Sequence, residues 1–172
     1  AQELVHCSNL FSIPEQVRLA KRLVERIGPG KVLFCNSGAE ANEGMIKLAR
    51  LFGNQNNKFK KSKIVCAENG FHGRTLGALS ATSSAKYRNG FDPLLGKFAF
   101  APLNDSNAFE KLMDQETAAV MVESIQGEGG IHVAEDSFLQ KVAKLSNERN
   151  ILLLLDEVQA GNGRTGEFLG FQ

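Results

Sequence analysis

Several features that would mark a specialised environment are missing from this chain. No apolar run approaches the roughly 20 residues that cross a bilayer, and the first residues show neither the charged nor the apolar region of a signal peptide. Cys7, Cys35 and Cys66 are odd in number and show no Cys-x-x-Cys spacing; two of them sit in apolar runs, where cysteine acts as a small hydrophobe. An excess of one charge is missing too: 20 basic residues against 19 acidic ones leave a formal net charge of +1, with the signs interspersed. That balance gives no electrostatic footprint for nucleic acid or an anionic membrane. The expected setting is therefore reducing, cytoplasmic or the mitochondrial matrix if eukaryotic, and the expected partners are small molecules.

Missing motifs narrow the chemistry further. His6, His72 and His132 are scattered, with no pair at ligand spacing on one helical face, so no metal is expected. The run 152–155 followed by Asp156-Glu157 resembles the magnesium-binding strand of a P-loop nucleotide hydrolase. Its partner loop, Gly-x-x-x-x-Gly-Lys-Ser/Thr, is absent, because Gly30-Lys31 and Gly96-Lys97 are followed by Val32 and Phe98. There is no Gly-x-Ser-x-Gly elbow for a serine hydrolase. Gly161-x-Gly163-x-x-Gly166 satisfies the dinucleotide pattern, yet Asp156 to Ala160 intervene before it and Gly170, not a helical stripe, follows.

What is present is ordinary globular material: 172 residues, 42% hydrophobic and 23% charged, enough to bury one core. From Ser12, Pro14 suits a first helical turn, Val17, Ala20, Val24 and Ile27 recur at helical steps, and Gly28 ends the pattern. A β-run at 32–35 follows. Ser37 and Glu40 then have capping-box spacing before a stripe of Met45, Leu48, Ala49 and Phe52, and the polar stretch 53–61 reads as a surface loop. Strands are expected at 64–67, 98–101, 118–122 and 151–155, the last as a run buried on both faces. Helices are expected up to Ala81, from Asp105 to about Met113, and on the stripe of Phe138, Leu139, Val142 and Leu145. The stretch 83–96 reads as irregular. The alternation predicts an α/β fold with a mostly parallel sheet covered by helices.

In such a sheet ligands bind beyond the carboxyl ends of the strands, so the residues just after each apolar run deserve inspection. Ser37-Gly38-Ala39 opens a helix where free N–H groups and the dipole favour a phosphate, although for this motif alone plain capping is the favoured reading. Phe71-His72-Gly73-Arg74 joins an aromatic face, an imidazole and a guanidinium able to grip a carboxylate. Taken singly, Phe71 reads as core, His72 as a satisfied loop histidine and Arg74 as a surface cation. Asp156 is the least ordinary residue, because a carboxylate at the tip of a buried strand is costly unless paired. It could hold a protonated ring nitrogen.

Together Asn36-Ser37-Gly38-Ala39-Glu40-Ala41-Asn42, Phe71-His72-Gly73-Arg74-Thr75, Glu123-Ser124-Ile125-Gln126-Gly127-Glu128-Gly129-Gly130 and Asp156-Glu157-Val158-Gln159 resemble the class-III, ornithine-type aminotransferases in order and spacing. The resemblance runs from about Ser8 to the end. It implies part of the large domain of a fold-type-I transferase dependent on pyridoxal 5′-phosphate (PLP). Residues 1–172 would be one incomplete domain, with 1–12 a segment near the substrate pocket.

By that resemblance Ser37, Gly38 and Ala39 would cradle the phosphate, Phe71 and Val158 would cover the two ring faces, and Asp156 would meet the ring nitrogen. Gln159 would lie near the ring hydroxyl, while His72 and Glu123 would support the cofactor. Arg74 would hold the substrate α-carboxylate, Glu128 would act as an acidic gate, and Phe11 and Ser12 would line the entrance. The family's Schiff-base lysine would fall past Gln172. Lys31 and Lys63 are expected to open strands, at the wrong edge of the sheet, and Lys47, Lys141 and Lys144 to lie on helices. The chain alone is therefore expected not to transaminate.

The implied reaction of the full-length protein, expected to be a homodimer, is transfer of the δ-amino group of N-acetylornithine to 2-oxoglutarate in arginine biosynthesis. Ornithine, succinylornithine and 4-aminobutyrate are alternative donors. A non-catalytic module that binds PLP or phosphate, or serves in protein interaction, is the reading from another class. Ser124 stands where the family commonly has proline, and Ala160 where threonine is common.

Overall fold

Period-two alternation along the apolar runs decides which side chains share a face of the sheet. The computed structural model describes residues 4, 6–8, 10–55 and 60–172. It divides into two units, residues 1–35 and 36–172. In the larger unit four parallel strands, β1 (Lys63–Ala67), β2 (Phe98–Ala101), β3 (Thr117–Glu123) and β4 (Leu152–Asp156), stand in the order β2-β1-β3-β4. The chain moves outward from β1 to β2, then jumps back across β1 to β3, so the winding reverses between β1 and β3. That reversal opens a crevice at the strand tips.

Val65, Ala67, Val120 and Val122 face one side, where helices Ser106–Leu112 and Asp136–Glu148 add Phe109, Phe138, Val142 and Leu145. Phe109 and Phe138 meet edge to face with centroids 5.1 Å apart. Ile64, Cys66, Ala119, Met121 and Leu154 face the other side, against Ile46 and Ala49 of helix Gly38–Asn54 and Ala81 of helix Leu76–Ala81. We label the helices α1 (Pro14–Ile27), α2 (Gly38–Asn54), α3 (Leu76–Ala81), α4 (Ala85–Arg88), α5 (Ser106–Leu112) and α6 (Asp136–Glu148).

Apart from 32–35 the expected strands and long helices form, and five local expectations need correction. Residues 32–35 make no strand among the described residues: a β-run needs a partner ladder, none pairs with it, and Leu33 is exposed. The buried face of α2 is Asn42, Ile46, Ala49 and Gly53, whereas Leu48 is exposed, so the helix is rotated from the predicted stripe. β4 lies at one edge of the order, and Leu152, Leu153 and Leu155 are only partly buried, while the fully buried strand is β3. The 83–96 stretch contains α4, and the glycine-rich loop after β3 includes a small hairpin pairing Ile125–Gln126 with His132–Val133.

In the smaller unit, α1 starts at Pro14 and ends at Gly28, whose φ of 123° suits glycine. No residue of α1 is buried. Residues 1–3, 5 and 9 of the expected pocket segment, and 56–59 of the expected surface loop, lie outside the described residues. Among the described residues no helix is long and apolar enough to cross a membrane.

Candidate functional site

The crevice is built from strand tips and one helix start. β3 and β4 are in register at Glu123 and Asp156, and adjacent in-register residues of parallel strands share a face. Both carboxylates therefore stand beside each other on the α2 side. The turn after β1 brings Phe71, His72, Gly73 and Arg74 to the same edge, and α2 begins there with Gly38 and Ala39. These residues, with Asn42, Val158 and Gln159, line a cleft of about 320 Å³, near the lower end of the roughly 300–1,000 Å³ usual for small-molecule sites.

Local sequence fixes each contribution. Ser37 caps α2 by accepting a hydrogen bond from Glu40 N–H, and the Glu40 carboxylate reaches back to Asn36 N–H, one residue short of the usual capping box. A 17-residue helix thus points its N-terminus at the cleft. At Gly38 a Cβ would lie 2.7 Å from Val158 Cγ1, so any side chain there must displace Val158. At Gly127 a Cβ would meet Gln159 Oε1 at 2.5 Å, the far end of a flexible side chain that can swing aside.

Asp156 is 3% exposed and held on three sides. Its Oδ2 accepts from His72 Nδ1 at 2.7 Å and from Asn42 Nδ2 at 2.8 Å, and Oδ1 accepts from Val158 N–H at 3.0 Å. Burial pushes this carboxyl up, but the contacts from His72, Val158 and Asn42 outweigh it and hold it below the usual carboxylate range. Among the described residues Glu123, one strand away, accepts only from Phe71 N–H, at 2.9 Å. Burial, with the neighbouring Asp156 and Glu128 charges adding to it, raises its pKa to about 7. Adjacent carboxyls are thus pushed apart: one stays charged and the other titrates near neutrality.

Nine sequence-predicted residues line this one cleft: Gly38, Ala39, Phe71, His72, Arg74, Glu123, Asp156, Val158 and Gln159. Ser37 adjoins it as the cap of α2. Glu128 lies on the exposed hairpin loop, its Oε2 3.4 Å from Tyr87 Oη. Phe11 and Ser12 belong to the smaller unit and are exposed. Gly161, Gly163 and Gly166 lie in a series of turns with no helix. Ser124 and Ala160 are buried, and among the described residues the Ser124 hydroxyl has no hydrogen-bond partner.

Asn42 went unnoticed as a site residue. It is 2% exposed and donates to His72 O at 2.6 Å as well as to Asp156. An amide in phase with Ile46 and Ala49 on a helix is the signal that could have marked it.

A phosphorylated pyridine suits this arrangement on the chain's own features. The start of α2, with no side chain at Gly38, would suit the phosphate end. The opposite end offers a buried, charged carboxylate whose Oδ1 can still accept another donor. Phe71 and Val158 both line the space between.

The whole chain, residues 1–172, matches the family described as Aminotransferase class-III. The chain belongs to the class-III aminotransferases. It is 50% identical to the acetylornithine aminotransferase of Caldanaerobacter subterraneus subsp. tengcongensis, aligned over all of this chain and 44% of that protein. It is 46% identical to the acetylornithine aminotransferase of Methanocaldococcus jannaschii, over all of this chain and 43% of that one. The chain thus spans less than half the length of these relatives. Among solved structures, the ornithine aminotransferase of Toxoplasma gondii ME49 superposes with a TM-score of 0.91 at 32% identity, covering 98% of this chain and 41% of its own. Another structure of the Toxoplasma gondii enzyme is described with partial occupancy of PLP at the active site. Class-III aminotransferases are PLP-dependent, and the parallel sheet flanked by helices is that of the fold-type-I enzymes.

Proposed function

We propose that this chain is the PLP-cradling part of an aminotransferase large domain, residues 1–172 forming one incomplete domain with 1–12 near the substrate entrance. The observation that carries the proposal is Asp156, a buried carboxylate kept charged at a strand tip that lines the same cleft as the start of α2.

In this reading Ser37, Gly38 and Ala39 receive the phosphate through the start of α2, and Phe71 and Val158 enclose the ring. Asp156 holds a proton on the ring nitrogen, and Asn42 and His72 hold Asp156. Gln159 stands by the ring hydroxyl and Glu123 backs the pocket. PLP supplies an electron sink for the carbon that loses its proton. Arg74 takes the substrate α-carboxylate, Glu128 gates the approach, and Phe11 and Ser12 border the entrance.

The proposed reaction of the longer protein moves an amino group from N-acetylornithine to 2-oxoglutarate, with ornithine, succinylornithine or 4-aminobutyrate as alternative donors. Its proposed setting is arginine biosynthesis in the cytoplasm, as a homodimer. Among the described residues no lysine lines the cleft. A second reading follows from this: the 172 residues by themselves bind PLP reversibly and do not transaminate.

Adding PLP to the purified chain tests both. We expect a rise in Tm with PLP and none with ATP, and full loss of the cofactor on dialysis after borohydride. Stabilisation by ATP alone would remove the assignment, whereas a borohydride-stable adduct at one lysine would overturn the lysine argument. An amino-donor panel on the protein extended to its relatives' length tests the substrate.

A further inference from the structure

Tyr87 is the only tyrosine in the sequence. It lies on the four-residue α4, and its position beside the cleft is set by a tether. Ser83 Oγ accepts from Asn69 N–H at 2.7 Å, which fastens the chain entering α4 to the turn just before Phe71. Phe71 and Tyr87 then meet edge to face, with centroids 5.3 Å apart and planes at 73°. The Arg74 guanidinium carbon sits 4.3 Å from the Tyr87 centroid and 5.8 Å from that of Phe71. Tyr87 Oη is 3.4 Å from Glu128 Oε2.

Arg74 is exposed, and among the described residues it has no ion-pair or hydrogen-bond partner; two ring faces are what hold it. This matters chemically. A guanidinium presents its N–H groups in its own plane, in a fork that matches a carboxylate. A carboxylate or carbonyl neighbour would occupy that fork, whereas an aromatic face attracts the cation through its quadrupole and leaves the fork open. The side chain is also long and rotamer-rich, and a loose one loses more freedom when it captures a ligand.

We propose that Tyr87 is the positioning residue for Arg74, its ring acting as the platform that presents an open guanidinium to a carboxylate entering beside Phe71. The inference rests on the reading of Arg74 as the carboxylate holder. Tyr87 touches no reacting atom in this scheme and acts through Arg74. Its hydroxyl links the platform to Glu128, the other residue assigned to the approach.

The test uses the PLP-loaded, full-length aminotransferase carrying this segment, with glutarate as an inert carboxylate probe and its Kd taken from thermal shift. Cofactor absorbance is recorded alongside. Tyr87→Phe keeps the ring and is expected to hold the Kd within about twofold. Tyr87→Leu and pentafluorophenylalanine at position 87 are expected to weaken binding about three- to fivefold, the size of an exposed cation–π contact, with the cofactor band unchanged. The fluorinated ring keeps the shape and reverses the polarity of the face, so a packing role alone would not respond to it.

Arg74→Gln gives the control. If it weakens glutarate while Tyr87→Leu and the fluorinated ring leave the Kd at the wild-type value, the platform is refuted and the assignment of Arg74 survives. If Arg74→Gln also leaves the Kd unchanged, the assignment of Arg74 fails and the platform with it. If Tyr87→Phe is as weak as Tyr87→Leu, the hydroxyl and not the ring does the positioning, which also refutes the platform.

Discussion

Glu123→Gln should make the chain more stable as the pH rises, against the usual expectation for removal of a buried carboxylate. In the cofactor-free fold burial raises this carboxyl from its ordinary 4.5 to about 7, so the protonated form is the one the fold prefers. A raised carboxyl contributes stability that is complete below its unfolded pKa and is lost as the pH climbs through the folded one. Between about pH 4.5 and 7, at roughly 1.4 kcal/mol per pH unit, the loss approaches about 3 kcal/mol.

Glutamine imitates the neutral acid, and its amide oxygen can still accept from Phe71 N–H, the single bond that Glu123 receives. Urea unfolding of both proteins at a series of pH values reads chiefly this group, because Asp156 stays ionised across the range and groups distant from Glu123 titrate alike in the two. Near pH 5 the two stabilities should lie close together, and by pH 8 the variant should lead by about 3 kcal/mol. A difference that stays flat across this range would refute the account of Glu123 as a desolvated acid.

Asp156→Asn should behave in the opposite sense. Wild-type Asp156 is held below the usual carboxylate range, so its stabilisation is present above the unfolded pKa and disappears as the pH falls through the folded one. The asparagine variant should lose about 1.5–3 kcal/mol at pH 7, with a flatter acid limb, as the donors His72 and Asn42 lose a charged acceptor. PLP affinity, read by absorbance titration, should fall as well, and an unchanged affinity would remove Asp156 from the cofactor's contacts. Gly38→Ala places a methyl 2.7 Å from Val158 Cγ1, and Val158 lines the cleft. We expect a loss of about 1–3 kcal/mol and weaker PLP binding; equal Tm values and affinities would show that Val158 yields freely.

Much of the fold was legible because it follows from local periodicity. The continuous apolar runs at 64–67 and 118–122, the Asp105 cap and the helical stripe of Phe138, Val142 and Leu145 each carry their own signal, and each element forms where that signal lies. The candidate site was legible for a related reason: its residues follow strand ends, and a parallel sheet gathers those ends on one edge. The misreadings concern features that depend on neighbours. A β-run at 32–35 carries apolar residues yet has no partner ladder among the described residues, and the leucines of β4 are half covered because the strand stands at an edge. Rotation of α2 is set by what packs on it, so Asn42, and not Leu48, turned inward.

The sequence by itself determined the alternating elements and the order of the four motifs, because these are properties of residues close along the chain. Only the tertiary structure decided the charge states and contacts at the cleft. Asp156 and Glu123 are both acids at strand ends, and nothing local distinguishes them. Three donors converge on Asp156, from as far away as Asn42 in α2, and one reaches Glu123. The electrostatics of a buried acid depend on which donors the fold brings to it, and sequence separation does not measure that distance.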